Sequence, residues 1–425
     1  MAVEKGTKAV ISLNFSVYDR RTFNSLRTNF VVEFPSKEFF NSYACLQQLS
    51  HSHLRVTPKG SHSRGYNVAQ MALPSDKELG SSYARPSFME EQVRFSRRDA
   101  FQGAIVGLAV GDALGFPAEF RRRSDIVGAF GPDGIRGFVA VNDPAWPDRP
   151  VVIGRFAPGT YTDDTQMSLA VAEALIEAGH KDLDSLMRMM AARFIEWSGS
   201  PENNRAPGET TMTACGALAD GIEWRDAGIL ESKGCGSAMR VAPIGLFLWH
   251  DIPLLLETAR ASSMLTHRHD AAIEGAAAAA LLVGLAISKT EPEEMYRALM
   301  QECAPRSQDF KACLEKLPAL LGAEPAETLS NRGLGEGWVA EEAVASALYC
   351  FWRSPLDFEQ TVITAANTDG DSDSIACIAG GISGAFNGLC AIPGSWQKDI
   401  ENSAYLRDLA RRLFAAAESA SASSQ

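Results

Sequence analysis

Two short acidic clusters carry the densest chemistry in the chain. The first is Thr162-Asp163-Asp164-Thr165, and the second is Asp369-Gly370-Asp371-Ser372-Asp373-Ser374. Each lies immediately before a segment with helical periodicity. Asp, Ser and Thr are favoured N-caps, and acids there complement the helix dipole. A cap, however, needs one side chain. Two adjacent acids in one loop and three alternating acids in the other would repel one another across a compact site. A divalent cation relieves that repulsion. Carboxylate and hydroxyl oxygens without nearby histidine or cysteine suit a hard ion, Mg²⁺ or Mn²⁺, rather than zinc. The Asp371-x-Asp373 spacing lets both carboxylates turn toward one point in an irregular loop. The alternative is a solvated loop of Asx-turns.

Three further stretches add polar groups. Lys233-Gly234-Cys235-Gly236-Ser237 places two glycines where a helix starts, an arrangement that presents backbone N–H groups to a phosphate. Gly-x-Gly turns are also common without any ligand. Glu119 lies in a turn beyond Pro117, and Asp112 falls on or just after a glycine-rich helix. His267 and His269 open an alanine-rich helix; the His-x-His pattern could suit a metal, but roles as cap and surface residues explain it better.

The elements that must position these groups read as helices. Periodicity predicts them over 97–114, 165–178, 185–197, 211–221, 254–263, 270–288, 292–303, 310–320, 339–352, 356–367, 374–386 and 404–417. No strand–helix alternation runs through this region, so the expected architecture is an all-α bundle. Gly103, Gly107 and Gly111 recur every four residues and share one helix face; Gly380, Gly384 and Gly388 do the same. Glycine weakens a helix interior by about 0.5–1 kcal/mol relative to alanine, so the repetition signals close approach of another backbone.

The chain has 425 residues, 46% hydrophobic and 22% charged, with net charge −12. That balance belongs to a globular protein, and its acidity argues against nucleic acid as the main partner. The eight cysteines are dispersed without a CxxC, which excludes a zinc ribbon and a disulfide framework and fits a reducing compartment. The start of the chain lacks a secretory pattern, and the longest apolar run, 276–287, falls short of a membrane span of roughly 20 residues. The expectation is a cytoplasmic protein with no membrane partner. Residues 1–95 differ in character: 12 Lys and Arg against 8 Asp and Glu give +4, leaving −16 for the rest. Strands are predicted over 9–18 and 29–34, and a Ser/Gly/Pro-rich linker over 57–87. The expected domains are a basic extension, 1–95, and a catalytic body, 96–420. The Ser/Ala tail after Glu418 is expected to fray.

Taken together, the motifs from Phe101 to Pro393 resemble the ADP-ribosylglycohydrolase family, in the family's order. GLAVGDALGFPAEF (107–120) is similar to the opening glycine helix and its functional Glu. GTYTDDTQMSLAVAEAL (159–175) and NTDGDSDSIACIAGGISGAFNGL (367–389) resemble its two metal motifs. SPENNRAPGETT (200–211), SKGCGSAMRVAPIGL (232–246) and MLTHRHDAAIEGA (264–276) resemble the loop, the phosphate-binding segment and the His-bearing helix start between them. The resemblance implies an all-α fold with two Mg²⁺ ions, Mn²⁺ being the alternative, and an ADP-ribose cleft. Carried over by position, the metal ligands are Thr162, Asp163, Asp164, Asp371, Asp373 and Ser374. Glu119 faces the substrate ribose and the attacking water, and Glu119, Asp163 and Asp373 are the catalytic candidates. Gly234, Gly236 and Ser237 cradle the diphosphate, and His267 lies on the adenosine side. Ser374 stands where the family usually has Thr, and Cys235 where Asn is common.

Two functions follow from the resemblance. The first is Mg²⁺-dependent hydrolysis of ADP-ribose from modified protein side chains, arginine above all. The second is an immunity role, in which residues 1–95 contact an ADP-ribosyltransferase toxin, with or without hydrolysis.

Overall fold

The structure is a computed structural model. It describes the backbone of residues 9–18, 25–34, 57–58, 86–142, 154–179 and 182–423, and, within these, the side chains of 97–421. The chain divides into two compact units, Met1–Ser96 and Arg97–Gln425.

In the first unit, strands Ala9–Tyr18 and Ser25–Phe34 pair antiparallel from Ala9↔Phe34 to Tyr18↔Ser25, and Thr57–Pro58 adds a short third strand against Val31 and Phe30. Both strands mix β-branched and aromatic residues, which fit a pleated surface. The second strand starts at Ser25, four residues ahead of the expected 29. The stretch expected as linker, 57–87, includes the short strand at its start and the beginning of a helix at Pro86. The side chains of residues 1–95, on which the toxin-contact expectation rests, lie outside the described residues.

The second unit is all-α. Its helices include the part of Pro86–Gly115 from Arg97 onward, Asp163–Ala178, Leu183–Ser198, Ile252–Met264, Asp270–Ile287, Ala340–Arg353, Phe358–Ala366, Ser372–Asn387 and Ser403–Ser423. The last runs through the tail that sequence suggested would fray. The expected helix 310–320 is instead Gln308–Leu314 followed by Leu317–Leu320, broken ahead of Pro318, which has no N–H to continue the ladder. Helix Asp270–Ile287 has the length and apolarity of a membrane span, more than the apolar run 276–287 suggested, but it is buried in the core of the bundle. Its one buried acid, Glu274, takes a bidentate pair from Arg260 at 2.8 and 2.8 Å.

The two glycine helices form the seam that sets the site. Pro86–Gly115 and Ser372–Asn387 run antiparallel in contact, Gly103 against Gly384, Gly107 against Gly380, Gly111 against Ala376 and Gly115 against Asp373. A Cβ on any of these glycines would overlap a backbone atom of the partner helix, with Asp373 Cα only 2.5 Å from one placed on Gly115. The seam thus delivers the C-terminal end of one helix to the acidic N-terminal end of the other.

Candidate active site

The first acidic motif is held by a residue that sequence reasoning noticed without giving it a role. Asp112 is fully buried near the end of the seam helix. It accepts hydrogen bonds from Thr162 N at 2.9 and 3.0 Å, from Thr165 N at 3.0 Å and from the Thr165 hydroxyl at 2.5 Å. One carboxylate therefore clamps the turn that presents Asp163 and Asp164. Thr162 Oγ1 accepts from Asp164 N at 3.2 Å, so Thr162 is also the cap of its own helix. Burial pushes the Asp112 carboxyl up to about 6, against the pull of these donors. Asp112→Asn places an NH₂ group against the same donors. A loss of about 10–100-fold in kcat/KM is expected, the usual cost of disturbing groups that orient ligands; initial rates against folded protein, checked by circular dichroism, measure it.

The second motif closes over the first. Asp371 caps its helix, accepting from Ser374 N at 3.2 Å, and its own N–H donates to Glu336 O at 2.9 Å. The Ser374 side chain meets the Asp164 carboxylate across the gap between the motifs. Asp163, Asp164, Asp371 and Asp373 are each at most 6% exposed. Burial pushes all four carboxyls up. Asp112 adds to the shift of Asp163 and Asp164, and Glu119 to that of Asp373. Within this cluster Asp164 Oδ2 and Asp373 Oδ1 have no hydrogen-bond partner. Buried carboxylate oxygens are ordinarily satisfied, and two left bare amid like charge fit an oxygen site for a hard cation. Among the described residues, no three acidic, histidine or cysteine side chains are drawn close enough to enclose an ion. Instead the Cys235 thiol donates to Asp371 Oδ2 at 2.9 Å and lies 3.6 Å from Ser374 Oγ.

The glycine loop stands beside this cluster. Cys235–Ser237 is one turn of 3₁₀ helix, and Cys235 N donates to Trp338 O at 3.1 Å. The His267 ring packs against the loop; Cβ atoms on Gly234 and Gly236 would lie 3.1 and 3.0 Å from it, so a side chain at either would press on the ring. His267 is buried, not a surface residue, and its Nδ1 bonds Thr266 Oγ1 at 2.8 Å. Burial, with Arg240 nearby, pushes its pKa down to about 3, so the ring is neutral at physiological pH. His269 does cap its helix, accepting from Ala271 N at 3.1 Å. The Ser237 hydroxyl turns away to the Ala272 carbonyl at 3.1 Å. Beneath the loop, Arg240 is fully buried. Its guanidinium donates to Gly236 O at 3.0 Å, Ser262 O at 2.9 Å and Thr266 Oγ1 at 2.7 Å, and lies 4.6 Å over the Phe194 ring.

Glu119 sits in the turn after the seam helix, buried, its charge felt at Asp373. The next residue, Phe120, adopts the left-handed conformation at φ +60°, a strained choice for an aromatic residue. It is held by its N–H to Gly370 O at 3.0 Å and stacks on Trp338 at 4.8 Å. Trp338 thus touches the Glu119 turn through Phe120 and the glycine loop through its carbonyl. Asp112, Cys235, Arg240 and Trp338 escaped the sequence reading as site residues. Asp112 carried a signal, as the one carboxylate in the apolar, glycine-spaced stretch 103–115.

The fold and this cluster define an all-α protein with a buried carboxylate centre beside a glycine loop. Residues 94–423 match the ADP-ribosylglycohydrolase family. An uncharacterised protein of Archaeoglobus fulgidus is 32% identical over 324 residues, 74% of this chain and 96% of that one. ADP-ribosylarginine hydrolase Tri1 of Pseudomonas putida is 27% identical, covering 74% of this chain and 78% of Tri1. Human ADP-ribosylhydrolase ARH3 is 28% identical, covering 71% and 89%. A solved structure titled ADP-ribosylglycohydrolase-related protein complex superposes with a TM-score of 0.60 at 28% identity, over 76% of this chain and 99% of that one. The chain belongs to the ADP-ribosylglycohydrolase family, and it is a glycosidic-bond hydrolase that removes ADP-ribose.

Proposed function

We propose that the protein is a Mg²⁺-dependent hydrolase of ADP-ribosylarginine on modified proteins. The observation that carries the metal dependence is the pair of bare oxygens, Asp164 Oδ2 and Asp373 Oδ1, in a cluster of buried carboxylates. The arginine linkage is supported by the relative Tri1, an ADP-ribosylarginine hydrolase. Thr162, Asp163, Asp164, Asp371, Asp373 and Ser374 are the residues that would hold two ions. Bound there, Mg²⁺ supplies positive charge for ribose hydroxyls and polarises a water. Glu119, Asp163 and Asp373 are the carboxyls assigned to take a proton from the attacking water or return one to the leaving nitrogen. The Gly234–Ser237 turn offers its backbone to the diphosphate. His267, held neutral against that turn, lies on the adenosine side.

The catalytic body is assigned to 96–420 and the appended module to 1–95. Among the described residues no cysteine is in a disulfide, which supports a cytoplasmic setting. The test is release of ADP-ribose from arginine- and serine-linked substrates in matched assays. Turnover on the arginine linkage, lost in EDTA and restored by Mg²⁺, is expected, and Asp371→Ala is expected to abolish it. Preference for the serine linkage, or rates indifferent to chelator, would refute the reading.

A further inference from the structure

The Cys235 thiol is not needed by the chemistry above, yet it lies inside the carboxylate cluster. Its Sγ is 2.9 Å from Asp371 Oδ2 and 3.6 Å from Ser374 Oγ. Ser374 in turn meets Asp164, whose Oδ2 is buried and without a partner. Asp371, Asp164 and Ser374 are all expected ligands. The sulfur therefore shares its immediate neighbours with the ion the site is built for. A carboxylate cluster without sulfur selects hard cations; a thiolate among the donors moves the preference toward Zn²⁺, Co²⁺ and Cd²⁺.

We propose that Cys235 is itself a metal donor, making this a mixed oxygen–sulfur site that accepts thiophilic divalent cations. The inference rests on the reading that the carboxylates hold a divalent ion. The thiol fits the role by position. Its loop is fixed by Cys235 N to Trp338 O, and its one strong hydrogen bond goes to a ligand carboxylate, a contact an incoming ion replaces. On binding, the S–H bond breaks, a sulfur–metal bond forms and the proton leaves to solvent; no electron is exchanged. Of the other described cysteines, Cys377 also lies near the cluster. Its Sγ is directed to Met239 O at 3.6 Å, and it serves as the internal control.

The test is a Co²⁺ titration of the metal-free full chain, followed by absorption spectroscopy and calorimetry. Binding with a near-ultraviolet sulfur-to-cobalt charge-transfer band is expected. The band should vanish in Cys235→Ser and persist in Cys377→Ser, with circular dichroism confirming that both variants are folded. In competition, the preference for Cd²⁺ over Mg²⁺ should fall in Cys235→Ser. Co²⁺ binding with only weak all-oxygen bands in the unaltered protein, or a band that survives Cys235→Ser, overturns the proposal and leaves the divalent-ion reading standing. Absence of Co²⁺, Mg²⁺ and Mn²⁺ binding by calorimetry overturns both.

Discussion

Asp164→Asn is expected to abolish turnover while making the metal-free protein harder to melt. The loss should exceed the ~100-fold that outer-shell changes cost, because Asp164 offers a bare oxygen to the ion itself. The gain comes from the cluster's self-repulsion. Asp163, Asp164 and Asp373 are buried among like charges, and each carboxyl is pushed well above 3.8. An amide at 164 removes one of those charges, and about 2 kcal/mol of stabilisation in EDTA is expected, a few degrees in Tm. The pH dependence has a definite sign. A carboxyl whose folded pKa is raised binds its proton more tightly in the native state than in the unfolded one. The unfolded state therefore binds fewer protons above 3.8, and stability falls as pH rises from there toward the raised values. Metal-free protein should melt at a lower temperature at pH 7.5 than at pH 5.5. Saturating Mg²⁺ should shrink that difference and raise Tm at both values. Differential scanning fluorimetry at the two pH values, with EDTA or Mg²⁺, decides it. An unchanged Tm for Asp164→Asn in EDTA would mean the cluster is not strained.

The second large effect belongs to the seam. In Gly111→Ala the new Cβ would lie 2.5 Å from the Ala376 carbonyl carbon and 3.1 Å from Cys377 N, all backbone, so the helices must separate. A cost of about 3 kcal/mol is expected despite alanine's better helix propensity. Activity should fall with it, since Gly115 on the same face abuts Asp373. Gly128→Ala is the matched comparison. It lies in the short helix Arg123–Phe130 with nothing within 4 Å of its Cβ position, and should gain about 0.5–1 kcal/mol. Denaturant midpoints of the three proteins measure both signs. Equal stability of Gly111→Ala and the unaltered chain would show that the seam tolerates added bulk.

Much of this was legible along the chain because it is local. Helical periodicity, the acidic caps and the four-residue glycine spacing are all short-range patterns. They gave the all-α body, both motifs and the two faces able to pack closely. What they did not give is which elements meet. That Asp112 clamps Thr162 and Thr165 depends on partners 50 and 53 residues away, and that Cys235 touches Asp371 depends on one 136 residues away. The residues alone gave His267 and His269 as cap and surface residues; only tertiary packing puts the His267 ring against Gly234 and Gly236. Arg240 carried no reading of its own along the chain. Its burial follows from the carbonyls and hydroxyl that receive it, none predictable from spacing.

The glycine seam also sets how the molecule breathes. Local opening is cheapest where few backbone atoms interlock, and most costly where two backbones are in contact over several turns. Both acidic motifs are tied to this contact, one through Asp112 on the first helix and the other at the start of the second. The amide protons around Gly107, Gly111 and Gly380 are therefore expected to exchange with solvent only when the all-α body unfolds, and the carboxylate pocket to share that protection, which hydrogen–deuterium exchange would read directly.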